Sequence, residues 1–343
     1  MSPRRPPRSA LPILALPLLL AGAGCESMDL APGDLNDIFA AADPDLWSQV
    51  EDTVDAALQP TVLTVTDELA FQVVHQDPGA PEWSRIQKFK QLLLVGTPDD
   101  PWIAPALEEA DEEDVEPPTV FQVRDVWSRN QIVTVALLSS EEPAQVGSLL
   151  PELSELYERQ YRQYALAKMF VSGRDSALAD TLRREAGFSI LVPEVYQWIR
   201  EDSTWLFRND NPSPDELIRQ VVVTWRTPVP TPLDTVLALE PVLEWRQAVA
   251  EETVETGQVV DTSMVRAREI SYRDHEAFEV QAIWQNPPDA DWPAGGPFIT
   301  RAVACPEQDR LYLLDAWLYA PGRDKYEYMI QLNTILDSFR CGG

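Results

Sequence analysis

Side chains suited to chemistry are unevenly distributed in this 343-residue chain. Histidine occurs only at His75 and His275, and neither has another His or a Cys at ligand spacing along the sequence. A Ser-His-Asp triad or a histidine-based zinc site would need one of them, and a solitary strand-end histidine is ordinarily structural. No Gly-x-Gly-x-x-Gly, phosphate loop, nucleophile elbow or His-Glu-x-x-His is present. Carboxylates are the opposite case: with 56 of them, a glycosidase-like pair cannot be singled out by spacing. Asp111 to Asp114 offers oxygen ligands for calcium but lacks the glycine-containing loop of a dedicated site. No metal and no cofactor is therefore expected. The residues left for ligand contact are aromatic. Trp127, Trp198, Trp205, Trp284, Trp292 and Trp317 could include an exposed platform for sugar or peptide, and of these Trp127 and Trp205, together with Gly295, Gly296 and Phe298, form the candidate ligand surface, against the competing reading that tryptophan is core and Gly-Gly-Pro a tight turn.

The chain begins with Arg4, Arg5 and Arg8, an apolar run from Ala10 to about Ala23, and small residues up to Cys25. That run is too short to span a bilayer as a helix and has the layout of a cleaved export signal. Ala21-Gly22-Ala23-Gly24-Cys25 resembles the lipobox of bacterial lipoproteins, with Gly22 where Leu is usual. Lipid on Cys25 is then the expected anchor. The expected layout is a signal peptide over 1–24, lipidated Cys and polar tether over 25–37, an N-terminal α+β domain over 38–172 and a C-terminal α+β domain over 173–343. A net charge of -29 makes nucleic acid and anionic membrane surfaces poor partners.

The elements that must position any site follow from periodicity. Asp43 precedes a helix marked by Leu46, Val50, Val54 and Leu58. Strands are expected over 61–65, 70–74, 89–95, 120–126 and 132–138, with a loop over 97–118. A long helix is expected to start at Pro151, carrying Leu153, Tyr157, Tyr161 and Tyr164 on one face. The second half reads as a helix over 176–186, capped by Asp175 and Gly187, and strands over 188–192, 204–207 and 220–225. A helix over 235–251 interrupted by Pro241 follows, then strands over 277–284, 298–305 and 311–319. A last helix covers about 323–339. The class is α+β, with mostly antiparallel sheets flanked by helices; the similar order of the halves also suits two related α/β sandwiches in tandem, although such alternation is common in this class.

Three stretches are similar to the bacterial lipoproteins called domain of unknown function 4837. They are Arg124 to Val133 around Trp127; Asp175 through Phe188–Pro193 to Trp205–Arg208; and Gly295–Phe298 with Tyr319-Ala320-Pro321, Lys325-Tyr326 and Ile335–Ser338. That family has no assigned activity, so the likeness implies fold and address only. The C-terminal meander and final helix also loosely resemble the PsbP-type α/β/α sandwich, which implies an accessory or binding role by analogy.

With Cys25 lipidated, Cys305 and Cys341 remain. The strand over 311–319 carries the chain about 30 Å from Cys305 and the final helix returns about 25 Å, so a disulfide between them is expected. Together these readings point to a lipid-anchored, non-enzymatic envelope module that binds or scaffolds an envelope protein or a glycan. The alternative is an envelope hydrolase using paired carboxylates.

Overall fold

The computed structural model describes residues 28–110, 115–211 and 216–342. Cys25, the leader before it and the acidic run 111–114 lie outside the described residues. Among the described residues no helix is long and apolar enough to cross a membrane.

The N-terminal half comprises β1 (Asp37–Ala41), α1 (Pro44–Leu58), β2 (Thr61–Val62), β3 (Glu68–Leu69), β4 (Gln72–Gln76), α2 (Trp83–Ile86), β5 (Gln91–Gly96), α3 (Ala104–Glu108), β6 (Thr119–Arg124), β7 (Ile132–Leu137) and α4 (Pro143–Met169). Its main sheet has the order β4-β1-β5-β7-β6, parallel except for the β6–β7 pairing. The reason lies in the runs Leu92–Val95 and Ile132–Leu138, which apart from Thr134 are apolar without alternation and are buried on both faces. Helices α1 and α4 cover one face, while α3 and aromatic loop residues cover the other. Asp43 caps α1 as expected, accepting hydrogen bonds from the amides of Asp45 and Leu46.

Helix α4 starts at Pro143 rather than Pro151, which lies inside it on the exposed side, where the carbonyl left without a donor meets water. Its buried stripe is Leu153, Tyr157, Tyr161, Ala165 and Met169, and Tyr164 is exposed. Residues 29–32 are pinned rather than forming a free tether. The Ala31 amide donates to the Arg129 carbonyl at 2.9 Å, and the Lys90 amide to that of Pro32 at 2.8 Å.

The C-terminal half comprises α5 (Ser176–Glu185), β8 (Phe188–Ser189), β9 (Gln197–Glu201), β10 (Thr204–Asn211), β11 (Leu217–Arg226), α6 (Leu239–Thr253), β12 (Val259–Tyr272), β13 (His275–Gln285), β14 (Gly295–Cys305), β15 (Arg310–Tyr319), α7 (Tyr326–Asp337) and β16 (Arg340–Cys341). Seven strands form an antiparallel sheet in the order β12-β13-β14-β15-β11-β10-β9. Helices α5 and α7 pack on one face and α6 on the other, a helix–sheet–helix arrangement. Pro241 sits in the first turn of α6, where its missing N–H costs nothing, and so opens the helix instead of interrupting it.

The protein is α+β, as expected. Its halves are not tandem copies, because one main sheet is largely parallel and the other wholly antiparallel.

Candidate functional site: an aromatic cleft beside buried donors

At one end of the seven-stranded sheet lies a cleft of about 270 Å³. Trp284 ends β13, Trp317 and Tyr319 end β15, and Trp292 overhangs from the β13–β14 loop. The polar lining includes Arg208, Glu216, Glu255, Asn286 and Gln258. Two interactions fix the aromatic wall. Trp284 packs edge-on to Trp317 at 5.4 Å between ring centroids, and its indole N–H donates to the Leu318 carbonyl at 3.1 Å. Gly296, paired opposite Trp284, permits this close approach, because a Cβ there would collide with the same carbonyl. Trp292 is 55% exposed, yet its loop is ordered: the Asn286 side-chain amide donates to the Trp292 carbonyl at 3.0 Å.

The inner side is unusual for an apolar layer. Gln258 is fully buried and its Oε1 accepts from Arg246 Nη2, which fixes the amide orientation because arginine only donates. Gln258 Nε2 then has no partner among the described residues, and neither do the buried Arg246 Nη1 and Gln220 Nε2 nearby in the same layer. Arg246 lies over the Phe298 ring at 4.2 Å and pairs with Asp315 at 3.4 Å. Burial lowers its pKa against the opposing pull of Asp315. A buried donor left unpaired costs about 1–3 kcal/mol. Glu216 and Glu255, the carboxylates among the described lining residues, are both exposed.

The surface expected from the sequence is not assembled. Trp205 is 1% exposed and lies on the opposite face of the sheet, in the α5–α7 core. Phe298 is completely buried beneath Arg246. Trp127 is half-buried in the other half of the chain, edge-on to Trp83 at 6.0 Å. Gly295 and Gly296 belong to the strand that frames the cleft but offer it no side chain; backbone crowding rather than ligand approach explains Gly296.

Trp284, Trp292 and Trp317 were among the six tryptophans that the sequence offered for an aromatic platform but were not singled out; what sequence reasoning missed was Gln258 just before β12, a strand that alternation did not reveal. His275 also departs from expectation, since the fold brings it beside Cys305, Glu307 and Cys341 although no such partner is near in sequence. Cys305 and Cys341 stand at disulfide distance, with Cα atoms 6.2 Å apart.

No curated protein matches the chain. One solved structure similar to it is LpqN, involved in cell envelope biogenesis of Mycobacterium tuberculosis. It aligns over 46% of this chain and 83% of that one at 12% identity, with a TM-score of 0.29. By family model, residues 175–338 match the domain of unknown function DUF4837, the family to which the sequence pointed, and the likeness around Trp127 lies outside the matched stretch.

Proposed function

We propose that the chain is a lipid-anchored binding module of the cell envelope, performing no chemistry, whose aromatic cleft takes an uncharged glycan. The observation that carries the ligand class is the exposed Trp292 ring in a cleft also lined by buried Gln258, whose Nε2 has no partner among the described residues. A sugar ring presents a C–H face suited to an aromatic plane and hydroxyl acceptors suited to that amide. A net charge of -29 disfavours strongly anionic polymers. The exposed Glu216 and Glu255 favour binding over hydrolysis. Anchoring rests on Cys25 and the leader before it.

Calorimetry against neutral oligosaccharides of the envelope tests the ligand class. Trp292→Ala should weaken binding about tenfold, corresponding to about 1.4 kcal/mol. Absence of binding to every glycan, or release of shortened products that stops in Glu216→Gln or Glu255→Gln, would overturn it. Cys25→Ala should move the protein out of the membrane fraction; unchanged membrane association would remove the anchor.

A further inference from the structure

We propose that Cys305 and Cys341, once reduced, form a zinc site completed by His275 and Glu307. The four ligand atoms lie within 4.8 Å of one another, and His275 Nε2 is 3.8 Å from Glu307 Oε1. Tetrahedral zinc, with Zn–S about 2.3 Å and Zn–N about 2.0–2.1 Å, needs donor atoms roughly 3.3–3.8 Å apart. The set of two thiolates, one imidazole and one carboxylate fills all four positions and suits a closed, structural zinc site rather than a catalytic one.

The backbone holds these residues together independently of any bond between the sulfurs. Cys341 belongs to β16, which pairs with β8, and the Gly342 amide donates to the Gly187 carbonyl at 2.8 Å. Gln308 Nε2 donates to that same carbonyl at 2.6 Å, tying the Glu307 turn to the C-terminal strand. Cys305 is fixed by its pairing with Arg310. His275 leaves a tight turn in which Arg273 and Asp274 both have positive φ, at 49° and 72°. Opening the sulfurs therefore requires side-chain rotation, not strand movement. His275, with 25% of its side chain exposed, and Glu307, with 47%, give an ion a route from solvent, whereas Cys305 forms the buried wall.

The chemistry balances with a dithiol reductant. Its two thiols become a disulfide as the Cys305–Cys341 bond gains two electrons and two protons. Zinc then displaces both thiol protons to solvent, while neutral His275 and ionised Glu307 bind without further proton release. The site would be closed by a disulfide under oxidising conditions and by a metal under reducing ones.

The test uses the full chain carrying Cys25→Ser, reduced with a phosphine and titrated with Co²⁺ as the spectroscopic probe. One equivalent should produce a thiolate-to-cobalt absorption band with tetrahedral d–d bands, displaced by Zn²⁺ and lacking in the unreduced protein. His275→Ala and Glu307→Gln, neither of which touches the sulfurs covalently, should each weaken binding at least about tenfold. No band on reduction, or undiminished wild-type affinity in either variant, overturns the site. Circular dichroism of the reduced, metal-free protein should retain its folded signal; loss of that signal overturns the claim that backbone pairing preorganises the ligands.

Discussion

Glu279→Gln should destabilise the protein by about 3 kcal/mol at neutral pH. Glu279 lies on β13 and is 2% exposed. Its Oε1 accepts from Arg268 Nε at 3.1 Å and Nη2 at 2.8 Å, and from Gln281 Nε2 at 3.0 Å; its Oε2 accepts from Arg301 Nε at 2.8 Å. Arg301, 4% exposed, directs its other nitrogens to Asp337 and Asn333 on α7, at 2.8 Å and 2.7 Å. The cluster thus clamps α7 to the sheet. The amide keeps the shape but leaves Arg301 buried with a single carboxylate, Asp337, whose side chain is 49% exposed. Removing one partner of a buried pair costs about 3–5 kcal/mol. The lower end applies because Asp337 remains and because Arg268, 68% exposed, is screened and contributes little. Burial pushes the Glu279 carboxyl up, but the charges and hydrogen bonds of Arg301 and Arg268 outweigh it and leave its pKa below the ordinary value. With a depressed folded pKa, the contribution is complete above the unfolded value of about 4.3 and is lost as pH falls through the folded one. Urea unfolding followed by near-ultraviolet circular dichroism should show a constant gap between wild type and variant from pH 7 to about 5.5, narrowing below about 4. Glu279→Gln combined with Arg301→Met should recover at least half the loss. A gap under about 1 kcal/mol at pH 7, strict additivity in the double variant, or a gap that widens in acid would refute the clamp.

Gly147→Ala, at an α4 position where an added Cβ meets nothing within 4 Å, should stabilise by about 0.5–1 kcal/mol through helix propensity, measured as a rise in the calorimetric transition. Gly296→Ala should cost at least about 2 kcal/mol, because the methyl collides with the Leu318 carbonyl and forces β14 from β15; denaturant unfolding reads it, and a neutral result would contradict the packing around Trp284. The fragment 174–343 keeps the seven-stranded sheet with α5, α6 and α7 but uncovers the side of α7 that bears Tyr326 and Ile330. It should melt cooperatively at a lower temperature than the whole chain, and a broad, non-cooperative melt would show that the halves share one folding unit.

Local signals in the sequence were reliable where local physics decides. Asp43 and Asp175 mark helix starts because their short carboxylates reach free amides at 2.8 Å, and the alternation around Val280 and Ala282 marks β13. The long excursion from Cys305 along β15 and back along α7 was also legible, because rise per residue fixes where the chain returns. The direction of the N-terminal strands was not, since a buried apolar run looks alike in parallel and antiparallel sheets. β12 was missed because most of its residues are exposed on a sheet edge and carry no apolar period. The candidate site was hardly legible at all. Trp205 sits in the apolar strand segment Thr204–Phe207 and Trp292 in the Pro- and Asp-rich loop before Gly295, but that local contrast does not say which rings line a cleft; only the three-dimensional arrangement brings Trp292 beside Trp284 and Trp317.

The coupling of the two halves was hidden for the same reason. Glu68, in the short strand β3, is separated by more than 250 residues from the start of α7, yet its Oε1 accepts from the amides of Lys325 and Tyr326 at 2.7 and 2.8 Å. A carboxylate borrowed from one half thus caps a helix of the other, at the end where the helix dipole favours negative charge. Tyr161 of α4 stacks on Tyr326 with ring centroids 5.3 Å apart, and Lys168 pairs with Glu327 at 2.8 Å. At its other end, α7 inserts Leu332, Ile335 and Leu336 into the sheet core, donates Asp337 to the Arg301 clamp, and leads directly into the strand carrying Cys341. The helix is therefore capped by one half and buried by the other. The N-terminal half and the cleft-bearing sheet are thus joined through a packed helix as well as through the exposed link near Val171, so the orientation of the cleft relative to the N-terminal half is set by packing.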